Sequence, residues 1–180
     1  EALPQGMSLR VVGPEPEADT GARLRELARG KDVTFLHDLD DASLVREYQR
    51  ALCVVLPSVY RMADGRHTPV PELLGQTLLE GMACGIPAIC TRVASMPEVV
   101  HEGVTGCIVP PNDPPALAER LAWLRAHPDE VARMGAAARR HVLDRFTWPT
   151  VVSRCLAQYE AASKRLARPS TIVSTRAAQS

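Results

Sequence analysis

The sequence predicts an α/β fold, a parallel sheet with helices on both faces followed by a helical C-terminal stretch. Three observations predict it. Short β-rich runs alternate with helical patterns as far as Pro110. Each of those runs is too short to be a helix, while the segments between them place apolar residues three or four apart. Beyond Pro110 and Pro111 the β-rich runs stop and only helical patterns continue.

In chain order the strand candidates are Leu9 to Gly13, Val33 to Leu36, Cys53 to Leu56, Ala88 to Thr91 and Cys107 to Val109. Thr20 to Arg29, Ala42 to Arg50 and Gly75 to Ala83 carry the helical patterns between them. A right-handed crossover helix is the usual way to bring a chain back to a parallel neighbour, so this rhythm implies a doubly wound parallel sheet. Ligands of such sheets sit outside the carboxyl ends of the strands, which directs attention to the loops after Gly13, Leu36, Leu56 and Thr91. Asp113 to Ala126, Pro128 to Phe146 and Trp148 to about Leu166 read as successive helices, Asp113 serving as an N-cap ahead of prolines in the first turn. Residues 1–167 form the expected domain, and 168–180, rich in Ser, Thr, Ala and Arg without periodicity, the expected disordered tail.

Composition narrows the function classes. At 180 residues the chain is one domain long. Lys plus Arg equals Asp plus Glu at 21 each, so no net charge draws it to nucleic acid or an anionic membrane. Cys53, Cys84, Cys90, Cys107 and Cys155 lack the C-x-x-C spacing of a zinc or redox site and read as small core residues in a reducing compartment. No stretch reaches the roughly 18 to 20 apolar residues that span a bilayer, and no signal peptide opens the chain, so the expectation is a cytoplasmic domain. The first strand ends in Gly13-Pro14-Glu15 without G-x-G-x-x-G, which disfavours a dinucleotide dehydrogenase.

Two segments carry most of the functional information. Pro57 to Pro71, with Gly65 and several prolines, is a long loop after a strand, and loops of that length are usually functional or disordered. It leads into PELLGQTLLEGMACGIPAIC, Pro71 to Cys90. Gly75 allows close backbone approach to a ligand, and Gln76, Thr77 and Leu78 open a helix whose first amides have no internal partner, which makes an anion site. Glu80 lies among Leu78, Leu79, Gly81, Met82 and Ala83, neighbours that predict burial. A buried carboxylate needs partners, and ribose hydroxyls would supply them. Glu72 precedes the glycine, near enough to the helix start to face a group attached to the phosphate. By spacing alone, two glutamates eight apart also fit a solvated face or a charge near a helix dipole.

The whole string resembles the donor domain of glycosyltransferase family four, retaining nucleotide-sugar enzymes of the GT-B fold. Those enzymes carry a Glu-x7-Glu element, a small-residue helix and a Gly-x-Pro strand entry, matched in register by Glu72, Gly75, Glu80, Ala83, Gly85 and Pro87. MPEVV from Met96, HEGVTGCIVPPND from His101 and RFTW from Arg145 extend the resemblance, which runs from about Leu9 to Tyr159. It implies a Rossmann-like C-terminal domain of a hexosyltransferase-like enzyme working without a metal or other cofactor. Glu72 would be the catalytic residue beside the donor sugar, Glu80 would hold the ribose, and the amides of Leu74, Gly75, Gln76 and Thr77 would face the diphosphate. Backbone near Leu39 would read the base, although His37 and Asp38 stand where the family has glycine. Arg61, Arg66 and His67 read as solvated loop, and Trp123, Met134 and Trp148 as helix packing.

The family usually opens this domain with one more strand and a loop bearing an Arg and a Lys. This chain begins Glu-Ala-Leu-Pro, past that point, and is expected to have been processed or cut from something longer. The absent strand would be the central one, leaving its two neighbours across a gap. The leading expectation is retaining transfer from a nucleotide-diphosphate sugar to a glycan, lipid or small-molecule hydroxyl, in partnership with an N-terminal acceptor domain. The isolated chain would be inactive, and the full-length enzyme cytoplasmic or membrane-peripheral. The alternative is a non-catalytic nucleotide-binding or interaction module from a truncated gene; a sugar-nucleotide epimerase of the same fold fits the string less well.

Overall fold

A computed structural model describes residues 2–62, 65–68 and 72–166. The loop at residues 57–71 is thus described only in part, Pro71 included among its gaps, and the expected tail lies outside the described residues. The chain divides into two compact units, Glu1–Leu143 and Asp144–Ser180.

The first unit alternates as expected: β1 (Leu9–Val12), α1 (Ala18–Ala28), β2 (Val33–Leu36), α2 (Asp41–Arg50), β3 (Val54–Leu56), α3 (Gln76–Ala83), β4 (Ala88–Thr91), α4 (Met96–Val99), β5 (Gly106–Val109), α5 (Pro114–Ala126) and α6 (Pro128–Arg145). The short helix α4 was not expected; four residues with a proline at the second carry no periodicity to read. Helix α7 (Trp148–Leu166) is the described helix of the second unit.

Among the described residues all strand pairs are parallel, in two sheets. In one, β1 lies against β2 with Leu9 opposite Val33 and Val12 opposite Leu36. In the other, β4 is central, Val54 opposite Ala88 on one side and Ala88 opposite Gly106 on the other. Among the described residues no ladder joins the sheets, so β1 and β3 each have one strand neighbour.

The core belongs to the three-stranded sheet. Ile89 and Cys107 with Val109 meet Leu121 and Leu124 of α5 and Met134 of α6 in one buried cluster. Leu78 and Met82 of α3 are also fully buried. Local signals start the helices: Asp113 accepts from the Ala116 amide at 2.9 Å ahead of two prolines, and Asp40 accepts from the Ser43 amide at 2.7 Å.

Two packing expectations are corrected. Trp123 and Met134 do pack in the core, but Trp148 is 81% exposed. Cys90 and Cys107 are buried and Cys53 and Cys84 partly so, whereas Cys155 is exposed on a helix whose described side chains face mostly solvent. Burial pushes the Cys53 and Cys90 thiols up to about 12, which keeps them protonated and inert.

Candidate functional site

The loops following β3, β4 and β5 converge at the carboxyl end of the three-stranded sheet and are cross-tied by polar contacts. Thr91 Oγ1 donates to the Ser58 carbonyl at 2.5 Å, and the Ala94 amide donates to the Tyr60 hydroxyl at 2.6 Å. Ser95 Oγ donates to the Leu73 carbonyl, and Asn112 Nδ2 to the Arg61 carbonyl at 3.2 Å. These ties frame an open cleft of about 540 Å³ lined by Pro57, Ser58, Val59, Met62, Thr68 and Glu72 among others. Of these, only Glu72 had been singled out from sequence. The rest are ordinary loop residues whose role depends on which strands become neighbours.

Helix α3 opens beside the cleft. Its N-cap, Gly75, has φ 79° and ψ 53°, left-handed geometry that a side chain strains, and a Cβ there would lie 2.8 Å from Leu78 Cδ1. Glycine contributes no capping side chain, and Glu72 takes over that task. Its Oε1 accepts from the Gly75 amide at 2.7 Å and the Leu74 amide at 3.1 Å. The first two helical amides, Gln76 and Thr77, have no hydrogen-bond partner among the described residues, and both residues are exposed. Of the four amides singled out from sequence, two are therefore engaged by Glu72 and two face outward.

Glu80 is a correction. Its apolar sequence neighbours predicted burial, but they divide between two faces of α3: Leu78, Gly81 and Met82 turn inward while Glu80 is exposed. Its carboxylate accepts one hydrogen bond, from the Tyr48 hydroxyl of α2 to Oε2 at 2.9 Å. Burial, and then that bond, raise the Tyr48 phenol well above its ordinary value. Glu80 does not line the cleft that Glu72 lines.

Leu39 stands apart on the loop after β2, half-buried, with no hydrogen bond to α3. That loop is anchored by His37, whose Nδ1 lies 2.9 Å from the Gly13 carbonyl at the end of β1. Asp38 has φ 53°. The left-handed backbone that glycine would supply is thus present, carried by a residue type that tolerates it better than most.

Residues 2–141 match the family described as glycosyl transferases, group 1. The chain belongs to the group 1 glycosyl transferases. A curated relative of this family, the GDP-mannose-dependent alpha-(1-6)-phosphatidylinositol monomannoside mannosyltransferase of Mycolicibacterium smegmatis, is 32% identical over 79% of the chain and 37% of its own length. Among solved structures, sucrose-phosphate synthase from Thermosynechococcus elongatus superposes with a TM-score of 0.70 at 26% identity, over 88% of this chain and 39% of that one. Anabaena HepE in complex with UDP and glucose superposes with a TM-score of 0.72 at 20% identity, over 88% and 42%. The fold of this group 1 glycosyl transferase is therefore the Rossmann-like α/β arrangement of GT-B proteins. The chain spans less than half the length of each of these relatives.

Proposed function

We propose that this chain is the donor-binding part of a retaining glycosyltransferase that moves a sugar from a nucleotide-diphosphate donor to a hydroxyl acceptor. The observation that carries the reading is the start of α3. Two unpartnered amides, Gln76 and Thr77, sit beside a carboxylate, Glu72, that is fixed at the lip of a cleft. A diphosphate meets the amides and the positive end of the helix, and Glu72 faces the sugar that the diphosphate carries. Glu80 takes the ribose hydroxyls, and backbone near Leu39 takes the base. Supporting this, a relative is named for dependence on GDP-mannose, and HepE was solved with UDP and glucose.

Charge that develops on the departing diphosphate is met by fixed dipoles of the oxyanion-hole kind, with no resident metal or other cofactor assigned a role. Transfer needs a second, acceptor-binding region and an acceptor glycan, lipid or small molecule, in the cytoplasm or at the membrane face. Among the described residues no helix is long and apolar enough to cross a membrane. The unjoined sheets favour one other reading, a nucleotide-binding module completed by a partner's strand.

Thermal-shift and calorimetric titration of the chain with UDP-, GDP- and ADP-sugars tests the proposal. We expect stabilisation by one base class, about tenfold weaker binding in Glu80→Ala, and a Glu72→Ala variant that keeps nucleotide binding. No stabilisation by any donor would remove the reading.

A further inference from the structure

We infer that Tyr48 is a positioning residue, which fixes the Glu80 carboxylate for a ribose diol through a hydrogen bond running from one crossover helix to another. The inference rests on the ribose assignment of Glu80 proposed above and adds to it a residue from a different part of the chain.

The geometry has three parts. Tyr48 and Glu80 are 32 positions apart, and their contact exists only because α2 and α3 pack side by side. That approach depends on Gly81, the residue next to Glu80. A Cβ at Gly81 would lie 2.6 Å from Val54 Cγ1 and 3.4 Å from the Tyr48 ring at Cδ1. Finally, the hydroxyl reaches Oε2, and among the described residues no second side chain hydrogen-bonds this carboxylate.

Glu80 is exposed, so water would satisfy its charge without any protein partner. The hydroxyl is therefore not required to make the residue tolerable. Its effect is to select one orientation from the several that a free glutamate samples, which lowers the ordering cost met when a ligand binds. With Oε2 held by Tyr48, Oε1 and the remaining lone pair of Oε2 are left to accept from a vicinal diol. A phenol is protonated over the whole physiological range, and its surroundings raise this one further, so it donates throughout that range.

The test is a calorimetric comparison of UDP and GDP with their 2′-deoxy counterparts, on the whole chain as wild type, Tyr48→Phe, Glu80→Gln and the double variant. Removing one charge-assisted hydrogen bond and the order it imposes is expected to weaken ribonucleotide binding about three- to tenfold in Tyr48→Phe. Affinity for the 2′-deoxy form, which keeps only the 3′-hydroxyl for Glu80, should fall less, and the double variant should match Glu80→Gln alone. Equal losses for the ribo and deoxy forms in Tyr48→Phe mean a structural role and overturn the inference. So does a ribo-to-deoxy ratio that collapses in Glu80→Gln but survives in Tyr48→Phe, with the ribose reading left standing. If the wild type binds neither diphosphate, or does not distinguish ribo from deoxy, the ribose reading fails and this inference with it.

Discussion

Strands β1 and β4 are both four residues long, both mainly apolar and both paired in parallel, yet all of β4 is buried and all of β1 is exposed. Leu9, Val11 and Val12 keep 39%, 37% and 39% of their surface in solvent, while Ala88, Ile89 and Cys90 keep none. The difference lies in their neighbours. Strand β4 has a partner on each side and contacts from α3 and α4, whereas β1 has one partner, and α1, which follows it, buries only Gly21. Burial is thus conferred by the surroundings of a strand, not by its composition. The three-stranded sheet also carries the cleft and α3, so the candidate site is mounted on the better-packed half.

The contrast fails first if the tight half proves tolerant. A Cβ at Gly106 in β5 would lie 1.9 Å from the Ala88 carbonyl oxygen, a backbone atom that cannot turn aside. Gly106→Ala is expected to destabilise by about 4 kcal/mol or more and abolish the cooperative transition in urea. A normal transition would show that β4 and β5 can separate freely.

Next in size is a matched pair of truncations. Leu124 is fully buried in α5, and Leu124→Ala should cost about 3 kcal/mol. Leu27 in α1 is 51% exposed, and Leu27→Ala should cost under about 1 kcal/mol. Urea midpoints measured on both decide it; comparable losses would mean that the β1–β2 half is as well packed as the other.

Glu72 comes third. Its Oε1 holds the Leu74 and Gly75 amides, so Glu72→Ala should lower stability by about 1 kcal/mol, besides any effect on transfer. Faster hydrogen exchange confined to those two amides would locate the effect; unchanged exchange would separate Glu72 from the helix start.

The succession of strands and helices and most element boundaries were legible from short apolar runs, because those runs report the alternation directly. Val33–Leu36 and Ala88–Thr91 match their expected limits, and Asp113 caps α5 as expected. Glu72, Gly75 and Glu80 were legible as a motif, but their environments were not. Glu80 was expected inside because sequence neighbours on a helix include both faces, and which face turns inward is settled by β3 and Tyr48, far away in sequence. For the same reason Tyr48, Thr68 and Ser95 carried no signal. Each is an unremarkable polar residue until α2 and the loops after β3 and β4 are brought together. Trp148 was expected to pack because aromatic residues usually do, a generality that its own unit does not follow.

The smallest predicted effect bears on the join between the two halves. Neighbouring residues of α2 reach different elements: Glu47 pairs with Arg10 of β1 at 2.9 Å, and Tyr48 reaches Glu80 of α3. Helix α2 thus links β1 to α3 where no strand ladder joins the two sheets. The Arg10 and Glu47 side chains are 46% and 18% exposed, so their attraction is largely screened and should contribute 1 kcal/mol at most. A double-mutant cycle of Arg10→Ala and Glu47→Ala should give a coupling of about 0.2–1 kcal/mol that shrinks as salt is raised. A salt-insensitive coupling above about 2 kcal/mol would mean that the pair is effectively desolvated. The β1–β2 half would then be a fixed part of the domain, and the contrast with β3–β5 would have to be redrawn around α2.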